Sequence, residues 1–289
     1  MSSALLTPGA IVRNPARPDW GTVVQYLNSL RTTMGERTLF EGVRCVQPGE
    51  ALRVRLDGDA PRVERTVWWR SPAEDRSIDE ASATAMVRDA VERSVEAHLV
   101  CDVPLCSMLS GGLDSTIIAA LARRSVSNLR TFCAGAVPES DEGGDLAVAR
   151  RMAAALDTEH HEGGVTRERF LASWPQLVAD LGIPLSTPNE VAILAVAEAI
   201  RPHAKVALSG EGADELFAGY GPPLDESEAW IARARAGDGT PVEEWHVNAF
   251  AWVPPSMLEA LMAPNALAAA GGPGICADHL RTEFPRCGD

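Results

Sequence analysis

Met108-Leu109-Ser110-Gly111-Gly112-Leu113-Asp114-Ser115-Thr116 joins two apolar runs, and its reading decides the fold. The run before it, 103–109, is short and bounded by turn residues, which predicts a buried strand. The run after it, 115–124, is rich in alanine and isoleucine and predicts a helix. A helix start at the carboxyl end of a strand offers unpaired N–H groups and a positive dipole end to an anion. Gly111 and Gly112 let the backbone approach phosphate oxygens with no Cβ in the way. Ser110, Ser115 and Thr116 add hydroxyls, and Asp114 is suited to hold Mg2+ against a polyphosphate. No Gly-Lys-Ser/Thr follows, so this is not a Walker loop. It also lacks the first glycine of the G-x-S-x-G nucleophile elbow.

Outward from this loop the pattern alternates. A helix is expected to about Leu99, capped by Asp79 or Ser77, with Ala85, Val87, Val91, Val95 and Leu99 on its apolar side. After the loop helix come a strand at 130–135, a helix at 146–156, a short strand at 160–162 and helices at 167–181 and 190–201. Pro202 stops the last of these, and 205–209 is the next strand. Such alternation predicts an α/β domain with a mainly parallel sheet.

The ends read differently. Residues 1–70 are extended and turn-rich, with strand candidates at 38–40, 51–56 and 66–69 and turns at Pro48-Gly49 and Asp57-Gly58-Asp59. Residues 71–78 form a polar linker, 255–262 is helical, and the small-residue stretch 268–274 is expected to be loose. The domains expected are a β-rich segment over 1–70 and an α/β domain over 71–289.

With 26 basic against 40 acidic side chains, the formal charge of −14 argues against a nucleic-acid surface. No apolar run reaches the roughly 20 residues of a membrane helix. The start, Met1 to Leu6, lacks the basic and apolar regions of a signal peptide, so the cytoplasm is the expected location. Cys45, Cys101, Cys106, Cys133, Cys276 and Cys287 show neither C-x-x-C spacing nor the density of a secreted scaffold, and free thiols are expected. Lys205 is the only lysine.

A second strand–loop–helix unit follows at 205–220, Lys-Val-Ala-Leu-Ser-Gly-Glu-Gly-Ala-Asp-Glu-Leu-Phe-Ala-Gly-Tyr. Gly210 and Gly212 permit a tight turn, and Glu211, Asp214 and Glu215 crowd three carboxylates into it. Taken alone, acidic residues at a helix start are equally well explained by the dipole. Paired with Ser110-Gly-Gly-Leu-Asp-Ser115, however, the segment closely resembles the synthetase domain of asparagine synthetases. The segments at 131–135, 158–162 and 184–190 resemble it too, so the likeness covers about 99–220.

The resemblance implies a sheet of the adenine-nucleotide alpha-hydrolase (PP-loop) type. It implies ATP and Mg2+ as cofactors, and a small carboxylic acid and ammonia or an amine as substrates. Met108, Leu109, Ser110, Gly111, Gly112, Asp114, Ser115, Ala134, Ser209 and Gly210 would bind the nucleotide, with Met108 and Ala134 flanking adenine. Asp114 and Asp214 would share the metal, Glu211 would handle the incoming amine, and Tyr220 would close the substrate side. The His160-His161 pair would be structural.

The sequence departs from the family at both ends. Position 2 is serine where standard members expose a glutaminase cysteine, and 38–50 resembles only the last strands of a glutaminase domain. Beyond Tyr220 there is no lysine to match the one that the family brings to the phosphates. A chain without its own glutaminase is therefore expected. The alternatives are a complete ligase and an ATP-binding subunit that needs a separate glutaminase or C-terminal partner chain. A tRNA-modifying pyrophosphatase would share the first loop but lack the second motif.

Overall fold

A computed structural model describes residues 17–29, 33–57, 60–73, 75–137 and 144–283. Ser2 and the rest of the N-terminal start, Gly58 and Asp59 of the expected turn, and Cys287 lie outside the described residues. The elements run α1 (Trp20–Asn28), β1 (Glu50–Arg55), β2 (Arg62–Val67), α2 (Glu80–His98), β3 (Leu105–Met108), α3 (Leu113–Ser125) and β4 (Arg130–Ala136). They continue with α4 (Asp145–Leu156), β5 (Glu159–Val165), α5 (Arg167–Leu181), α6 (Asn189–Ile200), β6 (Val206–Leu208) and α7 (Ala213–Phe217). The last are α8 (Gly221–Arg235), α9 (Val242–Phe250), α10 (Pro255–Leu261), α11 (Pro264–Ala270) and α12 (Ile275–Glu283).

Two compact units result: Arg76–Leu224 forms one, and the described residues of Met1–Asp75 and Asp225–Asp289 form the other. The larger carries a four-stranded parallel sheet in the order β5-β4-β3-β6, the α/β architecture that the alternation predicts. Side chains of a strand alternate between faces, and neighbours on β4 show what covers each face. Phe132 packs with Val196 and Ile200 of α6, whereas Cys133 packs with Leu146 and Ala149 of α4. Leu109 meets Ala119 of α3 and Ala153 of α4, so α3 lies on the α4 face. Asp79 caps α2 as expected, its carboxylate accepting the Ser82 N–H at 2.8 Å. The apolar side read for that helix is buried only at Val95; Ala85 and Val87 are exposed.

In the second unit, β1 and β2 pair as an antiparallel hairpin whose side chains are nearly all exposed. The reading of 1–70 as extended missed α1. Its Thr22-Val23-Val24 run is β-branched and looks like a strand, but Asp19 caps it, accepting the Thr22 N–H at 3.0 Å. Packing overrides the propensity. Val24 is fully buried against Leu258, Leu267 and Ala270, and the Asn28 amide donates to the Val253 carbonyl at 2.7 Å. Residues 38–40 form no strand; isolated bridges join Phe40 to Pro18 and Arg37 to Arg44. The stretch expected to be loose from 268 is helical through Ala270, where small side chains bury readily. The helices α8, α9 and α12 had no counterpart in the sequence reading. Among the described residues, no helix is long and apolar enough to cross a membrane.

Candidate active site

Strand order brings the two motif loops together. β6 pairs directly with β3, Leu105 opposite Val206 and Ser107 opposite Leu208, so both parallel strands end at the same edge. The loops after them therefore lie side by side. Gly210 is where they touch: a Cβ there would stand 2.9 Å from the Ser115 nitrogen and 3.1 Å from the Asp114 carbonyl carbon. Only the missing side chain permits that approach.

The first loop is wired by its own hydroxyls. The Ser110 N–H donates to Ser115 Oγ at 3.2 Å, the two serine hydroxyls lie 3.0 Å apart, and the Gly112 N–H donates to Ser110 Oγ at 3.3 Å. The Ser115 hydroxyl also reaches the Gly112 carbonyl at 3.2 Å. Gly112 caps α3 without a side chain, leaving the first-turn N–H groups to an incoming anion. Gly111 adopts φ +84°, and a Cβ there would lie 2.6 Å from Val148 Cγ1 and 2.9 Å from the Val148 carbonyl carbon. Its part is backbone shape and the close approach of α4.

A cavity of about 490 Å³ opens over these loops. Of the residues singled out in the sequence, Met108, Leu109, Ser110, Gly112, Asp114, Ser115, Ala134, Ser209, Gly210, Glu211, Asp214 and Tyr220 line it. Gly111 does not line it, because it faces α4 instead. The Thr116 hydroxyl, read as a further donor, is buried without a hydrogen-bond partner among the described residues and is also outside the lining. Sequence reasoning gave no role to Phe132, Cys133, Asp145, Thr187, Asn189, Glu190, Ala192, Ile193 or Val196, which complete the walls with Gly212 of the tight turn and Glu215 of the carboxylate cluster. Thr187, Asn189 and Glu190 lay within a segment that resembles the family, but no physical pattern marked them individually.

The second loop holds its groups by local contacts. The Glu211 N–H donates to Ser209 Oγ at 3.2 Å. Gly219 lies so close to Asp214 that a Cβ would fall 1.9 Å from Asp214 Oδ1, and the Gly219 N–H donates to the Asp214 carbonyl at 3.0 Å. The carboxylate thus rests in a cradle that a side chain at 219 would fill. Tyr220 donates its hydroxyl to Glu215 Oε1 at 2.7 Å. That bond, with smaller contributions from burial and from the charges of Glu215, Asp214 and Glu211, pushes the phenol up to about 12. Tyr220 therefore stays protonated, a donor rather than a base. Glu215→Gln is expected to return its ionisation toward 10.0, read by ultraviolet absorbance titration against Tyr220→Phe to identify the step. An unmoved titration would mean that the bond is not made in solution.

Six carboxylates line the cavity (Asp114, Asp145, Glu190, Glu211, Asp214 and Glu215) and no basic side chain does, among the described residues. His160 and His161 lie outside it. The former hydrogen-bonds the Thr131 hydroxyl through Nδ1 at 3.0 Å, and the latter stacks on Phe132 with ring centres 4.8 Å apart. No His, Cys, Asp and Glu cluster with metal-holding geometry occurs among the described residues.

Across this frame, residues 86–270 match the asparagine synthase family profile. The chain belongs to the asparagine synthase family. A shorter match, over 6–28, is to a protein family of unknown function. Asparagine synthetase [glutamine-hydrolyzing] 1 of Bacillus subtilis is 33% identical over 210 residues, 73% of this chain and 32% of that protein. A Mycobacterium tuberculosis protein assigned as an asparagine synthetase [glutamine-hydrolyzing] is 40% identical over 204 residues, 69% of this chain and 29% of that protein. The chain thus spans about a third of the length of these relatives. Among solved structures, an NH3-dependent NAD synthetase from Campylobacter jejuni aligns at a TM-score of 0.33 and 14% identity, covering 67% of this chain and 93% of that one.

Proposed function

We propose that the cavity binds ATP and activates a small carboxylic acid as its acyl-adenylate for amide formation, as part of a soluble, cytoplasmic asparagine-synthetase-like ligase. The observation that carries this reading is the meeting of the two family motifs at Gly210 around one cavity.

The chemistry calls for such a site. A carboxylate is a poor acyl donor because its leaving group would be oxide. Its oxygen attacks the α-phosphate and pyrophosphate leaves; the amine nitrogen then attacks the acyl carbon, AMP leaves, and the nitrogen gives up a proton. The loop 110–115 cups the departing pyrophosphate with first-turn N–H groups and the Ser110–Ser115 pair. Met108 and Ala134 flank the base. Glu211 would take the proton from the amine, and Tyr220, its hydroxyl held by Glu215, would close the substrate side.

Mg2+ fits the residues present. Asp114 and Asp214 offer hard oxygens in one cavity, Asp214 is fixed by its glycine cradle, and the phosphates would complete the coordination. Bound there, Mg2+ would neutralise charge on the polyphosphate. With six carboxylates and no basic group in the lining among the described residues, ATP is expected to bind only as its magnesium complex. Calorimetric titration tests this: ATP should bind in the presence of Mg2+ and not in excess EDTA. Absence of binding under both conditions would sink the reading.

The lack of a basic side chain in the lining, among the described residues, also favours a second reading, in which the chain holds ATP but needs a partner chain to supply a lysine. Full pyrophosphate exchange by the isolated chain with an acid substrate would dismiss it.

A further inference from the structure

The cavity has a third side, built by residues 186–190 and the first turns of α6, and its chemistry differs from that of the two loops. The Glu190 carboxylate pins the chain there. One oxygen accepts the Ser186 N–H at 2.9 Å and the Thr187 N–H at 3.0 Å, while the other accepts the Thr187 N–H at 3.0 Å and its hydroxyl at 2.9 Å. Burial alone would raise the Glu190 carboxyl, but the Thr187 and Ser186 N–H groups and the Thr187 hydroxyl hold it below its ordinary value, ionised at neutral pH. The Thr187 hydroxyl in turn accepts the Asn189 N–H at 3.3 Å. The result is a fixed corner that sets Asn189 at the start of α6.

Asn189 is exposed and lines the cavity, so its carboxamide is open to a ligand there. Along α6 from it, Ile193 and Val196 line the same cavity, joined by Met108, Phe132 and Ala134 from the sheet. These apolar groups are the kind of surface a flat ring packs against, and one donor-and-acceptor amide lies in the same lining. Adenine carries the complement, an exocyclic N6 donor beside a ring-nitrogen acceptor, and asparagine reads adenine by that bidentate pair elsewhere in recognition chemistry.

We propose that Asn189 is a specificity-determining residue that pairs with the six-amino edge of the purine, and that Glu190, through Thr187, is its positioning residue. The inference rests on the ATP-site reading and names the part of that site which selects the base.

The test compares ATP with purine riboside 5′-triphosphate, which lacks the six-amino group, by calorimetry in Mg2+. The wild-type chain should prefer ATP by about 5- to 100-fold, the range expected for one discriminating pair. Asn189→Leu should weaken ATP more than the analogue, which keeps the ring-nitrogen acceptor and so loses one hydrogen bond rather than two, and the gap between them should close. Glu190→Gln should narrow the gap in part. Ile193→Ala should weaken both nucleotides alike, which is the pattern of a merely structural loss. Equal weakening of both by Asn189→Leu, or a wild-type chain that binds the two equally, overturns the inference and leaves the ATP site standing. A wild-type chain that binds neither overturns both.

Discussion

Asp114→Asn and Asp214→Asn are each expected to lower magnesium-dependent ATP–pyrophosphate exchange by about 10²- to 10³-fold, the loss typical of removing one transition-state charge stabiliser. Both carboxylates line the cavity that holds no basic side chain, so nothing among the described residues replaces the lost charge. If they share one ion, their effects are coupled, and the double variant should lose far less than the product of the single losses. The Mg2+ concentration for half-maximal ATP binding should rise in each variant, a readout available even where a partner is needed for turnover. Circular dichroism should be unchanged, because neither side chain is part of the core. Losses that multiply, with no change in Mg2+ requirement, would separate the two residues and remove the shared-ion role.

Gly210→Ala is expected to do its damage differently. The new methyl would meet the Ser115 nitrogen at 2.9 Å and the Asp114 carbonyl carbon and Cβ at 3.1 Å, and the first two are backbone atoms that cannot swing away. The loop after β6 must therefore move off the start of α3. Overpacking of this kind costs about 1–3 kcal/mol and should take several degrees from the melting temperature. ATP affinity should fall more than tenfold, since the displaced loop carries Glu211 and Asp214 away from Asp114. Gly212→Ala is the control. Gly212 has φ +93° with nothing within 4 Å, so alanine there brings backbone strain of about 1 kcal/mol and no collision. A Gly210→Ala chain that melts and binds like the Gly212→Ala chain would show that the loops do not need to touch.

Much of this site could be read before the fold was known. Ser110, Gly112, Asp114 and Ser115 lie within one turn of chain, so the loop's hydrogen bonds follow from local spacing and glycine's freedom. The strands and helices from 80 to 208 were legible for the same reason, since caps, breakers and period are local signals. Gly111 and Thr116 were read with their ligand-facing neighbours, but neither lines the cavity: a side chain at 111 would meet Val148, and the Thr116 hydroxyl is buried. Helix α1 was missed because its β-branched residues carry the wrong local signal, and burial of Val24 against Leu258 and Leu267 overrides it.

The sequence by itself determined an alternating α/β chain with a glycine-rich anion loop at 110–115 and an acidic loop at 209–215, because hydrogen bonding within a few residues suffices to specify each. Only the tertiary structure decided that the two loops face one cavity, since nothing local says that β6 pairs with β3 rather than with another strand. The same is true of the third wall. Thr187, Asn189 and Glu190 reach the site because α6 packs across β4 and β5, a long-range burial of apolar surface that no local pattern encodes.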